Sequence, residues 1–595
     1  MQTKIVHWED LDFTEIRDRI FQVQRRIFRA SIAGKRDEMH KAQLRLVRSF
    51  PARCYAVYLA AEKSAGRNTA GVDGMRKPSE SQKLKMAQSL RLTNRPAPVR
   101  RKIIPKPGSL ETRSLGIPTL SDRALQHLIN LALEPEWEAR FGKSTFGFRK
   151  GRSCHDALGN IRQNIRQCPK WVLDGDIEKF FDRLDHSAIL KKLDTFPRME
   201  KAVRSILKAG FMDGSDFDPT EVGTPQGGPL SPLLANIALC GLEQDLIEAF
   251  PPKRVINGTQ IKKSPRLIIY ADDFVCLHDS RDVIEETRSF ISTWLKPLGL
   301  NLSPTKTKVA HTLLKVDGKR GFEFLGCQIR QHRVGRHQLK PFFKGIHTHI
   351  EPSQKSQTKI YEACAGIIDK MVHSKKRNAQ FAHRQKKGAL SAQEIMIHQL
   401  NRKLKGWARY FSPHNSKRAF STLDNKIFIK LFRWAKRRHP KWVLKRLIDE
   451  FFNGGNPWIF RSNREEPQTE IDMLRVDSTP ISHHSLVKSK ESYFNGDWTY
   501  WGKRQGTYPG MLTGAAKCLQ RQHGKCWHCN LELERHITVQ VQIVPNDQGR
   551  AFQRLVHESC AASNKRYLTR DAFIRQRRES GARCHESGTP GSEKP

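Results

Sequence analysis

The sequence predicts a multidomain α+β protein, and three features of its 595 residues support that fold class. Residues 98–330 alternate short β-branched runs with helical stretches, as expected for a domain of mixed helix and sheet. Residues 1–95 have helical patterns, and residues 355–450 have helical patterns rich in Lys and Arg. Since domains usually contain about 100–200 residues, a chain of this length should form several of them.

The charge balance indicates a polyanionic partner. The chain has 105 Lys and Arg residues against 60 Asp and Glu residues, which gives a formal net charge of +45. A charge of this size opposes compaction by self-repulsion, whereas each Lys or Arg near a phosphate releases counterions. We therefore expect nucleic acid as the partner, and the alternative is a basic protein that is merely soluble.

Several other classes of protein are excluded. The sequence has no run of about 18 apolar residues, so we expect no membrane span and no membrane partner. Residues 1–10 contain no apolar stretch and resemble neither a signal peptide nor a transit peptide. Most of the 12 Cys residues lie singly in apolar surroundings, which indicates reduced thiols and a cytoplasmic protein.

Two acidic segments lie within the mixed region of this basic chain. In the first, the period-two alternation of a strand would place Asp174 and Asp176 on one face. In the second, Asp272 and Asp273 stand between two apolar runs, which predicts a buried hairpin with both acids at its tip. The alternative for the second pair is a polar turn between two strands.

Clustered carboxylates favour hard divalent cations. Bringing carboxylates together without a countercharge raises their pKa values and costs stability. Mg²⁺ removes that cost, since it takes one or two carboxylates together with substrate phosphates and water. Two such ions can activate a 3′-hydroxyl group and stabilise a leaving pyrophosphate.

The order of motifs resembles the palm and fingers of reverse transcriptases. Tyr-Ala-Asp-Asp between apolar runs is preceded by Asp-Ile-x-x-Phe-Phe-Asp, with a Gly- and Pro-rich turn between them that resembles the family's nucleotide-binding turn. Upstream segments resemble the family's fingertips. The matching motifs lie, in chain order, at residues 104–106, 113–118, 176–182, 223–232, 270–273, 300–307 and 324–326.

Two further segments are similar to group II intron-encoded proteins, namely the loop at residues 71–74 and the basic helical region around residues 400–438. The resemblance covers residues 60–570. It implies a right-hand reverse transcriptase of fingers and palm, a helical thumb (maturase domain X), a DNA-binding region and a small zinc-binding HNH-like domain. The expected boundaries are 1–95 for the N-terminal extension and fingers, 96–345 for fingers and palm, 346–455 for the thumb, 456–515 for the DNA-binding region, 516–577 for the degenerate HNH zinc domain and 578–595 for a disordered tail.

The resemblance implies metal-binding catalytic roles for three carboxylates of the palm. These are Asp176, Asp272 and Asp273, and the Ile177 carbonyl would be a further ligand. The expected cofactor is Mg²⁺, with two ions in the polymerase site.

The resemblance also implies contacts to the incoming dNTP. Lys106 and Arg113 would hold the triphosphate, because Lys offers a point charge and Arg a bidentate fork. Gln226 would bind the nucleotide, and Phe181 would lie under the sugar and exclude a 2′-hydroxyl group. The alternative for Phe181 is a core ring beside Phe180.

The basic helical region should bind RNA. Residues 381–450 hold 18 Lys or Arg and 4 Asp or Glu, with aromatic residues interleaved. We expect the aromatic residues to form a core and the basic face to bind folded RNA or a template–primer duplex through phosphates and shape. The candidate RNA-binding residues are Arg402, Lys403, Lys405, Arg409, Lys436, Arg437 and Arg438.

The C-terminal module predicts a structural zinc site. Cys526 and Cys529 are followed by His557 and Cys560, and two such pairs are typical ligands of a tetrahedral Zn²⁺. The alternative is a set of unpaired buried thiols. The spacing of the two pairs and the intervening apolar strand resemble the HNH endonuclease domain of the family.

Four positions of this HNH-like module depart from the family pattern. Where the family carries metal ligands or a base, this chain has Val541, Gln542, Phe552 and Ala561. Val, Phe and Ala offer no ligand or base, and the Gln amide cannot take a proton at neutral pH. We therefore expect a domain that folds around zinc and holds target DNA without cutting it.

The expected function is that of an RNA-directed DNA polymerase and maturase. It would bind its group II intron RNA, assist splicing and copy the inserted RNA into cDNA during retrotransposition, in the cytoplasm or nucleoid of a bacterium. Without second-strand cleavage the primer would come from elsewhere, such as a nascent strand at a replication fork. The alternatives are a non-catalytic splicing cofactor and a stand-alone reverse transcriptase without an intron partner.

Overall fold

The structure, a computed structural model, describes most of the chain. The described residues are 7–105, 112–166, 168–214, 216–224, 226–256, 258–260, 263–333, 345–372, 392–452, 459–462, 471–488, 491–511, 513–534, 539–545 and 551–563. The predicted triphosphate ligand Lys106 and the predicted tail at 578–595 lie outside these residues.

Most described residues before 95 and between 353 and 452 are helical, and further helices flank the sheets. The α-helices are α1 (Phe13–Ile32), α2 (Arg36–Arg48), α3 (Phe50–Tyr58), α4 (Glu80–Ser89), α5 (Leu120–Arg140), α6 (Cys154–Ile165), α7 (Phe180–Arg183), α8 (His186–Leu193), α9 (Pro197–Leu207), α10 (Ser231–Leu239), α11 (Leu242–Ala249), α12 (Arg281–Leu295), α13 (Gln354–Val372), α14 (Ala392–Phe411), α15 (Lys417–Arg438), α16 (Leu444–Phe451), α17 (Trp498–Gln505), α18 (Thr513–Arg521) and α19 (Glu558–Ser563).

The strands form several small sheets rather than one large sheet. They are β1 (Val99–Pro105), β2 (Thr112–Ile117), β3 (Trp171–Asp176), β4 (Phe211–Asp213), β5 (Asp216–Asp218), β6 (Val255–Ile256), β7 (Thr259–Gln260), β8 (Arg266–Tyr270), β9 (Asp273–His278), β10 (Lys308–His311), β11 (Lys315–Val316), β12 (Lys319–Arg320), β13 (Phe322–Phe324), β14 (Cys327–Arg333), β15 (Ile346–Pro352), β16 (Val539–Pro545) and β17 (Ala551–His557).

Helix α5 is the centre of the N-terminal core. It packs against α1, α2 and α3, and residues on all of its faces are buried because these helices surround it. Its N-cap is Thr119, whose hydroxyl group accepts a hydrogen bond from the Asp122 N–H. Ser121, although Ser is a favoured capping residue, lies within the first turn of the helix and is not its cap.

The central sheet of the molecule positions the acidic segments. Its order is β10-β3-β9-β8, and every neighbouring pair is antiparallel. Alternate residues of β3 and β9 face two different cores: Leu173 and Cys276 pack in the core shared with α12, and Val172 and Val275 pack in the core shared with the thumb helices. With both faces of these strands packed, a shift of one residue would exchange the side chains of the two cores and disrupt the packing of both.

Asp156, on α6, connects the predicted fingers and palm (96–345) with the segment that follows the predicted thumb (346–455). Its buried carboxylate accepts hydrogen bonds from Ser153, His484, Arg504 and the Val487 N–H, with 2.7 Å between Arg504 Nη2 and Asp156 Oδ1. Burial alone would raise the pKa of Asp156, but the hydrogen bond from His484 and the charge of Arg504 lower that pKa to about 2. This buried ion pair holds the two regions in one arrangement.

An aromatic cluster connects the predicted DNA-binding region (456–515) with helix α1. Phe494, Trp501 and Tyr508 of the predicted DNA-binding region are buried against Phe21 and Phe28 of α1. The apolar side chains of this region are sparse along the chain, and it is their packing on α1 that makes them a core.

In the part of the chain that the structure describes, no helix is long and apolar enough to cross a membrane.

We predict that Asp156→Asn destabilises the fold by about 3 kcal/mol, because breaking a buried ion pair costs about 3–5 kcal/mol. Scanning calorimetry at neutral pH should show a lower unfolding temperature. The depressed pKa places this stabilising contribution above pH 4 or so and removes it as the pH falls towards about 2. In the wild type, stability should therefore decline over that interval.

The matched control is Asp194→Asn. Asp194 pairs with Arg36 at 2.6 Å, but both side chains are more than half exposed, so the pair should contribute less than about 1 kcal/mol. Equal unfolding temperatures for the Asp156 and Asp194 variants would contradict the role given to Asp156.

Candidate active site

The sheet register brings the predicted catalytic carboxylates together. Asp176, the last residue of β3, lies directly opposite Asp273, the first residue of β9. Asp272 occupies the turn between β8 and β9, where Ala271 takes a left-handed conformation with a φ of 59°. The Ile177 N–H donates to the Asp272 carbonyl oxygen at 3.3 Å and fixes the turn against β3. Of the two acids predicted at the hairpin tip, only Asp272 lies in the turn.

A neighbouring loop supports the other side of this site. The Ser303 N–H donates to the Asp176 carbonyl oxygen at 2.8 Å, and Ile177 forms an isolated bridge with Leu302. From the same loop, Lys306 places its Nζ atom 3.1 Å from Asp176 Oδ2. The loop therefore fixes the backbone of Asp176 and adds one cation beside its carboxylate.

Burial and neighbouring carboxylates raise the pKa values of Asp272 and Asp273. Burial, then the charges of Asp272 and Asp176, raise the pKa of Asp273 to about 6. Burial also raises the pKa of Asp272, against the charge of Arg113. Such a site carries an excess of negative charge, and the oxygen donors are those that Mg²⁺ prefers, so the residues present fit a divalent cation.

Asp174 belongs to the same acidic group, although it was not among the predicted site residues. Burial and then the charge of Asp273 raise its pKa to about 7. It shares a strand face with Asp176, so the period-two pattern of β3 contained the signal. How close it lies to Asp273 follows from the pairing of β3 with β9.

Two of the predicted nucleotide-binding residues, Arg113 and Gln226, belong to the β1–β2 hairpin and to a turn bonded to it. Arg113 lies on the β1–β2 hairpin and lowers the pKa of Asp272 through its charge. The Gln226 carbonyl oxygen accepts a hydrogen bond from the Gly116 N–H at 2.7 Å, which ties the hairpin to the turn at 226–230. The Gln226 side-chain amide donates to Asp182 at 3.4 Å.

The two adjacent Phe residues have different surroundings. Phe180 is 2% exposed and belongs to the core, whereas the Phe181 side chain is only partly buried. Phe181 lines a cavity of about 560 Å³ between the β1–β2 hairpin and residues 218–224. Phe181 packs against the same core as Phe180 while it also lines this cavity, so its contact with the sugar stays a prediction.

Comparison with known proteins decides the family. Residues 8–90 match the N-terminal domain of reverse transcriptase, residues 104–329 match reverse transcriptase (RNA-dependent DNA polymerase), and residues 376–451 match the group II intron, maturase-specific domain. The protein YkfC of Escherichia coli (strain K12) is 32% identical over 307 residues, which cover 45% of this chain and 78% of that protein. The chain belongs to the group II intron-encoded reverse transcriptase and maturase family.

Other relatives support the same assignment. The group II intron-encoded protein LtrA of Lactococcus lactis subsp. cremoris is 27% identical over 473 residues, which cover 68% of this chain and 76% of that protein. An uncharacterized 91 kDa protein in the cob intron of Schizosaccharomyces pombe is 29% identical over 263 residues, covering 36% and 32%. The reverse transcriptase is thus an RNA-directed DNA polymerase and a maturase, as the sequence predicted.

The thumb helices of this reverse transcriptase bury an aromatic core and expose a basic surface. Helices α14 and α15 both pack against α13, and Phe411, Phe420 and Trp434 are buried between them. Arg438 is half-buried, with its guanidinium group 5.2 Å from the centre of the Trp434 ring. The exposed members of the predicted RNA-binding set are Arg402, Lys403, Lys405, Arg409, Lys436 and Arg437.

The C-terminal module brings its four predicted metal ligands together. One donor atom from each of Cys526, Cys529, His557 and Cys560 lies within 4.8 Å of all the others. The His557 Nε2–H donates to the Glu532 carbonyl oxygen at 3.2 Å, which leaves Nδ1 facing Cys529 Sγ at 3.3 Å. Such an outer hydrogen bond fixes the imidazole tautomer that a metal needs. Three thiols and one imidazole fit Zn²⁺.

The positions at which the chain departs from the HNH pattern lie on β16, β17 and α19 of the same module. Gln542, on β16, is 1% exposed, and its side-chain oxygen accepts a hydrogen bond from His528 Nε2 at 2.8 Å. Ala561 is buried, whereas the Phe552 ring is partly exposed, with the Arg554 guanidinium group 5.6 Å from its centre. Among these side chains the structure offers a neutral amide and apolar groups, none of which can activate water.

We predict that Lys306→Gln moves the acidic limb of the pH–rate profile to higher pH at limiting Mg²⁺. The Lys306 charge lowers the pKa of Asp273, so its removal should raise that pKa further above about 6. Protons then compete with the cation at a higher pH. Primer extension measured between pH 5.5 and 8.5 tests this expectation.

Lys319→Gln is the control for this experiment, because Lys319 is an exposed cation on β12 with no assigned effect on the carboxylates. The prediction is wrong if the profiles of the two variants coincide.

Proposed function

We propose that this reverse transcriptase binds its group II intron RNA, assists its splicing, and copies the RNA into cDNA after the intron inserts into target DNA. The observation that carries the polymerase part is the register of β3 and β9, which places Asp176 opposite Asp273 with Asp272 in the adjoining turn. In this proposal the three carboxylates hold two Mg²⁺ ions, with the Ile177 carbonyl as a further ligand. The ions would supply Lewis-acid activation of the 3′-hydroxyl group and charge neutralisation at the phosphates.

The chain's own groups would bind and select the dNTP. Arg113, near Asp272, would hold the triphosphate together with Lys106, and Gln226 would contact the nucleotide from the turn tied to the β1–β2 hairpin. The partly buried ring of Phe181 would lie under the sugar and disfavour a 2′-hydroxyl group. These contacts orient the nucleotide before reaction, which lowers the entropic part of the barrier.

The exposed basic residues of α14 and α15 would bind the intron RNA and the template–primer duplex. Their cationic groups stand outside an aromatic core, so phosphate contacts do not compete with packing. Recognition by phosphate and shape suits folded RNA, whose base edges are hard to reach in a helix.

The C-terminal module would hold target DNA around a structural Zn²⁺ ion and would not cut it. Its four candidate ligands meet, while Val541, Gln542, Phe552 and Ala561 provide no catalytic base. The cDNA primer would then come from another source, such as a nascent strand at a replication fork. This activity belongs with DNA in the cytoplasm or nucleoid of a bacterium.

We predict that Asp272→Asn lowers primer extension by about three orders of magnitude, which corresponds to about 4 kcal/mol of transition-state stabilisation. Splicing of the intron should persist, because the thumb and the RNA-binding helices are unchanged. Asp317→Asn is the matched control, since Asp317 is an exposed acid in the turn between β11 and β12. A non-catalytic splicing cofactor would instead show no extension above background in the wild type.

We predict that the ribonucleoprotein inserts intron RNA into one DNA strand and leaves the second strand intact. Both strands of a target duplex, labelled separately, report this in one gel, and insertion into the first strand is the internal control. A nick in the second strand, absent with RNA alone, would contradict the proposed loss of endonuclease activity.

A further inference from the structure

A short loop, residues 144–149, packs against the hairpin that carries Asp272. The Ile269 N–H donates to the Ser144 carbonyl oxygen at 2.7 Å, and the Phe146 N–H donates to the Ile269 carbonyl oxygen at 2.9 Å. A Cβ atom at Gly147 would lie 2.5 Å from the Ala271 nitrogen, so the loop touches the catalytic turn at van der Waals distance. The loop is thus part of the rigid frame of the active site.

The end of this loop is anchored by a buried ion pair. Arg149 binds both oxygens of Glu138, at 3.0 Å from Nε and 2.7 Å from Nη2, and each side chain is 2% exposed. Arg149 Nη1 also donates to the Gly142 and Thr145 carbonyl oxygens at 2.8 Å. Phe148 therefore lies between two residues, Gly147 and Arg149, that the surrounding structure fixes in place.

That residue, Phe148, has an unfavourable backbone and an exposed ring. Its φ is 58°, in the left-handed region that aromatic residues rarely adopt. Its side chain is 50% exposed, so little apolar burial offsets the strain. Strained conformations of this kind persist where the surrounding structure imposes them, and they are concentrated at functional sites.

The Phe148 ring lies beside Phe181. Their ring centres are 6.5 Å apart with an interplanar angle of 72°, an edge-to-face arrangement. On another side, the buried ring of Phe180 lies 5.4 Å from Phe181 at 80°. Phe181 therefore has two aromatic neighbours, one fixed in the core and one presented by the strained loop.

We propose that Phe148 is a positioning residue that fixes the orientation of the Phe181 ring and so increases the discrimination between deoxynucleotides and ribonucleotides. This inference rests on the proposed role of Phe181 at the sugar. A Phe181 ring that can rotate or tilt would leave room for a 2′-hydroxyl group, whereas a Phe181 ring held between Phe148 and Phe180 would not. The left-handed backbone of Phe148 is the conformation that the loop imposes while its ring is presented to Phe181.

The test compares Phe148→Asn, Phe181→Ala and the double variant with the wild-type protein. Asn tolerates the left-handed region better than most residues, so the variant removes the ring without adding backbone strain. The measurement is kcat/KM for one dNTP and for its matched rNTP on the same template–primer. Phe148→Asn should lower the dNTP-to-rNTP ratio about fivefold, as expected for loss of one aromatic pair, with a smaller change for the dNTP alone.

Coupling between the two residues distinguishes positioning from an independent effect. In the Phe181→Ala background, Phe148→Asn should cause no further loss of discrimination, because the ring that it positions is gone. Phe148→Tyr, which keeps the ring, should retain the wild-type ratio. A purely structural role of Phe148 would instead lower kcat/KM for the dNTP and for the rNTP equally, so that their ratio would not change.

Each other outcome has a defined meaning. If Phe181→Ala lowers discrimination and Phe148→Asn does not, the role of Phe148 is wrong and that of Phe181 stands. If Phe148→Asn reduces both rates equally in either background, the role of Phe148 is purely structural, and the inference is overturned. If Phe181→Ala leaves discrimination unchanged, the proposed sugar contact is wrong, and the inference falls with it.

Discussion

The rest of the structure depends on holding four like-charged carboxylates together, of which Asp174, Asp176 and Asp272 are half-buried and Asp273 is exposed. Burial and then the charges of neighbouring carboxylates raise the pKa values of Asp174 and Asp273, which reflects the free-energy cost of ionising these groups side by side. The sheet holds these carboxylates in place. Both faces of β3 and β9 are packed, so a shift of their register would disrupt two cores. Lys306 relieves part of the repulsion, and a divalent cation would relieve more.

The elements around the site serve this constraint. Residues 144–149 pack on the back of the β8–β9 turn, and the Ser303 loop fixes the end of β3. Further away, Asp156 and the aromatic cluster on α1 attach the segment after the thumb to the same frame.

The polymerase motifs were predictable because each depends on local chemistry. Paired acids between apolar runs, a Gly-rich turn and two Cys/His pairs are visible in the residues, and the four candidate zinc ligands do lie together. Asp174, Phe148 and Asp156 were not predicted as site or anchoring residues. Their importance comes from neighbours more than 30 residues away in the chain, or from a backbone conformation that their own side chain disfavours.

By itself, the sequence determined the family, the polymerase chemistry and the residue types available to it, because carboxylates, thiols and basic side chains have fixed chemical preferences. It also determined the residue types at positions 541 and 561 of the C-terminal module, Val and Ala, whose side chains offer no base. Only the tertiary structure decided that Asp176 lies directly opposite Asp273, and that Phe180 is buried whereas Phe181 is only partly buried. The reason is that strand register and long-range packing set distances, and pKa values and contacts depend on distance rather than on residue identity alone.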